Sequence, residues 1–290
     1  AILEPVVFTS YQVTLGRVAL IGLVALGLTA VILMGELDLS VASTLAVSGV
    51  VMASIPDIWL GVLAALATGV VVVGINSFIA TLGMLFALRG LAFVLSDEEP
   101  VRLSNIDAGI AFGTPLLGPL TPRVLLFIAA FIALQIFLSR VKAGREFYAV
   151  GGNRQAAMDA GIPVRRRIFT GFMISGFVAA LAGVINTLER TAADPTAGST
   201  VLLASFAAAI IGGVLLNGGR GSVLGTLIGA LALGILQVSL TLSGVQVDIQ
   251  DIFIGVILLL AVITDPANLR AALAGVRSSF RSREKAQTPV

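Results

Sequence analysis

Residues 139–167 read SRVKAGREFYAVGGNRQAAMDAGIPVRRR, the one long polar and basic passage in an otherwise apolar chain. The stretch carries seven of the eighteen Lys and Arg residues. Asn153 is a good N-cap residue, and Arg154 to Ala160 contains mostly helix formers. Gly161 suits the left-handed position after a helix, and Pro163 cannot continue one. A helix of about two turns is marginal alone in water, so we expect a partner protein to hold it.

The composition on either side of this stretch is that of a membrane protein whose surface faces lipid. Of the 290 residues, 57% are hydrophobic and 12% are charged, and the mean hydropathy is +1.05. A soluble domain has about twice that charged fraction. The chain has no Cys and no His, which excludes a disulfide framework and removes the commonest metal ligand. We expect no metal site, no catalytic residue and no nucleic-acid partner.

Nine apolar segments are long enough to be spans or parts of spans, since a full span needs about twenty residues. Runs of this length favour helices over the strands of a barrel. The fold class predicted is an all-α, polytopic transmembrane bundle forming one domain over 1–290, with broken or short helices. The segments are 14–34, 41–55, 58–73, 77–95, 123–139, 168–188, 199–216, 223–243 and 252–268.

The distribution of Lys and Arg predicts the orientation of these spans. A cytoplasmic loop at 140–167 puts Arg220 and the basic tail at 270–290 on the same side, so that thirteen of the eighteen basic residues are cytoplasmic. Nine spans then place Ala1 outside. We therefore expect one further span on the N-terminal side of Ala1.

Two carboxylates, Glu36 and Asp38, interrupt the apolar sequence between about Val18 and Ile55. A charge at the bilayer centre costs about 3 kcal/mol or more, and broken helices at that depth are common substrate sites in transporters. The alternative is that Asp38 caps the next helix by accepting from N–H groups near Ser40. Asp38 can serve in both roles.

A glycine-rich passage at 212–222, GGVLLNGGRGS, lacks the lysine and hydroxyl of a nucleotide-binding loop. It favours a tight connection between spans. Residues 40–45 and 222–227 match at Ser, Val, Thr and Leu, which allows an internal repeat.

Polar residues within the spans either hydrogen-bond between helices or face a common cavity for a hydroxylated solute; they are Asn76, Gln135, Asn186, Glu189 and Gln237.

Three passages resemble the permease subunit of bacterial ABC importers for monosaccharides, the ribose, xylose, arabinose and galactose type. GELDLSVAS at 35–43 is similar to the family's GGIDLSVGS. GREFYAVGGNRQAAMDAGIPV at 144–164 and the passage at 193–230 are similar to its two other motifs. Related permeases for nucleosides, branched-chain amino acids and a furanosyl signalling molecule share the architecture.

The resemblance implies a ten-span subunit of the bacterial inner membrane that works as a pair. Its implied partners are a cytoplasmic ABC ATPase, which uses ATP and Mg, and an external solute-binding protein; the chain itself binds no cofactor. The implied ATPase-coupling residues are Gly152, Asn153, Ala156, Ala157, Ala160 and Gly161. The predicted translocation path runs by Glu36, Asp38, Ser40, Asn76 and Asn217.

Three departures from the family pattern accompany this resemblance. The family's first span is absent, about ten residues are missing around Val73 to Asn76, and Leu202 and Ala204 replace an acidic pair. We expect a permease without its own ATPase site that imports a ribose-like monosaccharide. The alternative is an ion-coupled secondary transporter in which Glu36 and Asp38 are the coupling carboxylates.

Overall fold

The computed structural model describes residues 11–71 and 77–264. Within these ranges the chain forms twelve helices and one pair of two-residue strands. In chain order the helices are α1 Tyr11–Ile32, α2 Val41–Ser54, α3 Ile58–Val71, α4 Ser77–Ser96, α5 Ile106–Gly113, α6 Pro122–Arg140, α7 Lys142–Gly152, α8 Arg154–Asp159, α9 Val164–Arg190, α10 Ser199–Ile211, α11 Val223–Leu242 and α12 Val247–Thr264. The strands are β1 Val101–Arg102 and β2 Ala192–Ala193, which pair antiparallel.

The all-α polytopic fold class is confirmed, and each of the nine predicted segments overlaps one helix of the described chain. Among the described residues, five helices are apolar and long enough to cross a membrane: α1, most of α4, α6, α9 and α11. Helices α2, most of α3, and α10 are apolar but shorter. The predicted short second and third spans are therefore found as short helices.

Helix α1 lies at the centre of the bundle. Its most apolar 18-residue window is 89% buried, compared with 17% for α4 and 28% for α6. It packs against α6, α9, α10 and α11. An apolar helix that is covered all round does not face lipid, so α1 belongs to the interior of the bundle. The less buried helices α4 and α6 form the periphery of the described chain.

Close helix contacts occur at small residues, as expected where helices associate by packing in lipid. A Cβ added to Gly176 of α9 would overlap the backbone of Gly69 on α3, and one added to Gly229 of α11 would overlap Ala208 on α10. In the same way, a Cβ added to Gly183 of α9 would overlap the Leu45 carbonyl of α2, and one added to Gly225 of α11 would overlap the Gly212 carbonyl.

The two ends of the bundle differ. One end carries β1, β2 and α5, and we call it the strand end. The other carries α7, α8 and the glycine-rich passage, and we call it the basic end. In the connection between α4 and α6, Leu103 is buried, whereas Ile110 and Leu116 are exposed. The predicted tail at 270–290 lies outside the described residues.

Candidate functional site

Helix α8 has the ends that the sequence predicts. The Asn153 side chain accepts a hydrogen bond from the N–H of Ala156 at 3.0 Å. At the other end Gly161 is left-handed, with φ +76°. The Gly161 and Ile162 N–H groups donate to the carbonyls of Met158 and Ala157, at 2.9 and 3.0 Å. Both ends of this six-residue helix are therefore closed by local hydrogen bonds.

The residues of α8 divide between an inner and an outer face. Ala157 is 4% exposed and belongs to the main apolar core. The predicted coupling residues on the outside are Gly152, Asn153, Ala156, Ala160 and Gly161, which are all exposed. The surface available to a partner therefore consists of these residues and their exposed neighbour Met158, with Ala157 beneath.

Glycines join this segment to the spans. The N–H of Gly219 donates to the carbonyl of Leu33, the residue after α1, at 2.9 Å. A Cβ on Gly151 would overlap that same Leu33 carbonyl. A Cβ on Gly218, whose φ is +80°, would meet Gly35 and Gly151. The end of α1, the end of α7 and the glycine-rich passage thus touch through their backbones.

Ion pairs reinforce this junction. Arg154 of α8 donates to Glu36 at 2.8 Å, and the Glu36 side chain is only 8% exposed. Arg167 at the start of α9 pairs with Glu146 of α7. Glu36, predicted to lie on the translocation path, therefore contacts α8 across 118 positions of sequence.

Asp38 has a different environment, although it lies two residues from Glu36. It is 2% exposed. Its Oδ1 accepts from the N–H and hydroxyl of Ser40, at 3.0 and 2.6 Å, and its Oδ2 accepts from the Ser175 hydroxyl of α9 at 2.7 Å. The expected bond from the Ser40 N–H is confirmed. Asp38 also links the break between α1 and α2 to the middle of α9.

A cavity of about 510 Å³ opens at the strand end. It lies between α1, α9 and α11 and is closed by the first turns of α10 and α12. Its wall includes three of the polar residues that the sequence analysis considered for a common cavity, Asn186, Glu189 and Gln237. A smaller cavity of about 160 Å³ shares part of this wall.

The wall also contains Arg17 and Arg190, and the sequence assigned neither of them a role. Arg17 donates from Nε to Gln237 Oε1 at 2.6 Å, and Arg190 donates from Nε to Asn186 Oδ1 at 3.2 Å. Both line the two cavities. The signal that could have found Arg17 is its position in an apolar helix, where an ionisable side chain marks a functional site by default.

Of the remaining predicted path residues, those that the structure describes do not line this cavity. Ser40 is buried beside Asp38. Asn217 is exposed in the glycine-rich passage, and its carbonyl lies near Gly35. Asn76 lies outside the described residues. The path through these positions stays a prediction.

An apolar helical bundle with a polar cavity at one end and a basic segment at the other has the organisation of a membrane permease. The chain belongs to the family described as "Branched-chain amino acid transport system / permease component", whose model matches residues 11–262. This confirms the ABC permease family that the three sequence passages indicate.

Curated relatives match most of the chain. It is 38% identical over 262 residues to the ribose import permease protein of Escherichia coli strain K12, with 84% of this chain and 81% of the relative covered. It is 36% identical to the L-arabinose ABC transporter permease protein of Azospirillum brasilense, covering 86% and 77%. It is 35% identical to the D-allose transport system permease protein of E. coli K12, covering 84% and 79%. No solved structure matches.

Proposed function

We propose that this chain is the permease subunit of an ATP-driven importer that carries a monosaccharide of about the size of ribose across the bacterial cytoplasmic membrane. The observation that carries the proposal is the short capped helix α8, exposed on one face and bound to the spans on the other. The names of the relatives, which concern ribose, L-arabinose and D-allose, supply the solute class.

In this proposal two copies of the chain pair in the membrane, and each α8 docks on a cytoplasmic ATPase that binds ATP and Mg. A solute-binding protein delivers the solute at the strand end. The chain itself carries out no covalent chemistry and binds no cofactor. Its C-terminus is then cytoplasmic.

The contacts of α8 give the route by which ATPase movement reaches the spans. A displacement of α8 pulls on Glu36 through Arg154, and Glu36 begins the segment that leads to α2. The backbone contact of Gly151 and Gly219 with Leu33 transmits the same displacement to α1. Packed contacts of this kind move as units because interiors are close-packed.

The partners of the two carboxylates argue against an ion-coupled secondary transporter. Glu36 is engaged by a guanidinium, and both oxygens of Asp38 accept hydrogen bonds from hydroxyl or amide groups. A coupling carboxylate has to exchange its partner for the ion during each cycle. These contacts favour structural and transmitting roles.

The test is ATP-dependent uptake of labelled ribose, arabinose and allose by proteoliposomes containing the chain, its ATPase and its binding protein. We expect Glu36→Arg alone and Arg154→Glu alone to reduce uptake about tenfold, and the double exchange to restore much of it. Arg154 is 56% exposed, so solvent screening limits the pair to about 1 kcal/mol of stability. Because either single exchange leaves an unpaired charge at the buried position 36, uptake is measured per folded transporter, and the loss should appear as less uptake per ATP hydrolysed.

Arg165→Glu is the matched control, because Arg165 is exposed on the same segment; its uptake should be close to wild type. Uptake by the chain alone under an ion gradient would overturn the proposal. A double exchange no better than either single exchange would reject transmission through this pair.

A further inference from the structure

The strand-end cavity holds two guanidinium groups whose hydrogen bonding is incomplete. Arg17 and Arg190 each donate from Nε to an amide oxygen. Among the described residues, the terminal nitrogens of both side chains have no hydrogen-bond acceptor. Since each guanidinium carries five N–H donors in a planar fork, both retain the donors that bind carboxylates in pairs.

The amides behind these arginines are fixed. Gln237 is 2% exposed and Asn186 is 6% exposed. Each holds the Nε of one arginine, and this orients the guanidinium without neutralising its charge. A neutral acceptor that positions a cation in this way leaves the charge available to a ligand.

Acidic residues near the cavity are largely balanced by other arginines. Glu189 forms an ion pair with Arg123 of α6. The charge of Asp194 acts on Arg89 of α4, and its Oδ1 accepts from Thr196. The first turn of α10, which borders the cavity, brings no acidic residue.

The charges of Arg190, Glu189 and Asp251 all act on Arg17. Helix α12, whose first turn borders the cavity, also brings Asp248 there. Around the cavity the carboxylates of Glu189, Asp194, Asp248 and Asp251 equal the four arginines in number, so a ligand is held by the open N–H donors of Arg17 and Arg190 and not by an excess of charge. A ligand with a single negative charge adds the least unmatched charge to this partly buried site, whereas a dianion adds twice as much.

We propose that this cavity binds a sugar acid, a hydroxylated solute with one carboxylate, and that Arg17 and Arg190 hold the carboxylate. The inference rests on the proposed import function and extends its solute class from neutral monosaccharides to their monocarboxylates. The cavity of about 510 Å³ lies in the range of small-molecule sites. Thr200, Thr241 and Gln250 in its wall supply groups for hydroxyls.

The experiment measures equilibrium binding to the full chain in lipid nanodiscs with three labelled probes that share one ring: D-galactose, D-galacturonate and D-galactose 1-phosphate. We expect galacturonate to bind about tenfold more tightly than galactose, because charge-assisted hydrogen bonds are about twice as strong as neutral ones. It should exceed galactose 1-phosphate by a similar factor, because the phosphate brings a second negative charge into a partly buried site. Arg17→Gln and Arg190→Gln should each weaken galacturonate about tenfold and leave galactose unchanged.

Two further variants separate the site from general charge and from misfolding. Arg102→Gln removes an arginine of β1 at the same end that does not line the cavity, and should leave binding within about twofold. Gln237→Glu keeps both arginines but gives Arg17 a carboxylate of its own. It should weaken galacturonate as much as Arg17→Gln does, with the thermal unfolding midpoint of the wild type.

Each other outcome overturns the inference. Equal affinity for galactose and galacturonate, tightest binding of the phosphate, or no binding of any probe would each do so. Equal weakening by Arg102→Gln would show that net charge and not the cavity is responsible. ATP-dependent uptake of neutral sugars in the reconstituted importer would then still support the proposed function, so the two failures are distinguishable.

Discussion

Asp38 shows how one side chain connects separate parts of the bundle. Its carboxylate accepts three hydrogen bonds, two from Ser40 and one from Ser175. A carboxylate that is 2% exposed is tolerated only when its oxygens are satisfied in this way. The side chain therefore fixes the start of α2 against α9.

Removal of this carboxylate should destabilise the protein. Asp38→Ala leaves the hydroxyls of Ser40 and Ser175 without their acceptor, at about 1–3 kcal/mol for each buried group. We expect a lower midpoint of thermal unfolding in detergent and a smaller loss for Asp38→Asn, which keeps one acceptor oxygen. Asp107→Ala, an exposed acid of α5, is the control. An unchanged midpoint for Asp38→Ala would contradict the connecting role.

The sequence indicates that Glu36 and Asp38 are unusual, but it does not distinguish the roles of the two side chains. Both are acids in an apolar context, two positions apart. The partner of Glu36 lies 118 positions away, and Ser175 lies 137 positions from Asp38. Such partners depend on how helices pack, which no local pattern contains. The Asn153 cap and the Gly161 turn were predictable because their hydrogen bonds close within a few residues.

At the scale of helices, α8 shows the same division between local and packed features. Its length and both ends follow from local sequence, whereas its inner face depends on α7 and α9, against which it packs. The sequence treated Ala156 and Ala157 alike as small residues. In the structure Ala156 is exposed, whereas Ala157 lies in the core.

These two adjacent alanines give a paired prediction. Ala156→Arg puts a bulky charge on the exposed face and should abolish co-purification with the ATPase while the unfolding midpoint stays unchanged. Ala157→Arg puts the charge in the core, and burying an unpaired charge should lower the midpoint strongly. Co-purification of Ala156→Arg at the wild-type level would reject the exposed face of α8 as the docking surface.

The neighbouring glycines of α7 test the junction with the spans. A Cβ at Gly151 overlaps the Leu33 carbonyl, whereas a Cβ at Gly152 meets no atom within 4 Å. Gly151→Ala should therefore lower the unfolding midpoint and reduce uptake, because the Leu33 carbonyl belongs to the backbone and cannot rotate away. Gly152→Ala should be neutral or slightly stabilising, since Ala is the better helix former by about 1 kcal/mol. Equal effects of the two substitutions would show that this contact is not tight.

For the whole molecule, the apolar segments predict where the helices lie along the chain. In lipid, a long apolar run can satisfy the hydrogen bonds of its backbone only as a helix. These segments do not predict the central place of α1, whose mean hydropathy of 2.2 equals that of α9 and lies close to the 2.1 of α11. They also do not predict the cavity. Its wall comes from helices α1, α9 and α11, and single polar residues on each become a site only after packing.

The orientation of this bundle can be tested cleanly because the chain has no cysteine. Ala156→Cys places a thiol on the exposed face of α8, and Asp107→Cys places one on exposed α5 at the strand end. If the basic end faces the cytoplasm, a membrane-impermeant maleimide should label Ala156→Cys only in inverted vesicles and Asp107→Cys in intact spheroplasts. The candidate span α6 separates the two positions along the chain, so each controls for leakage in the other's preparation. Labelling of Ala156→Cys from outside would reverse the bundle, and α8 could then contact no cytoplasmic ATPase.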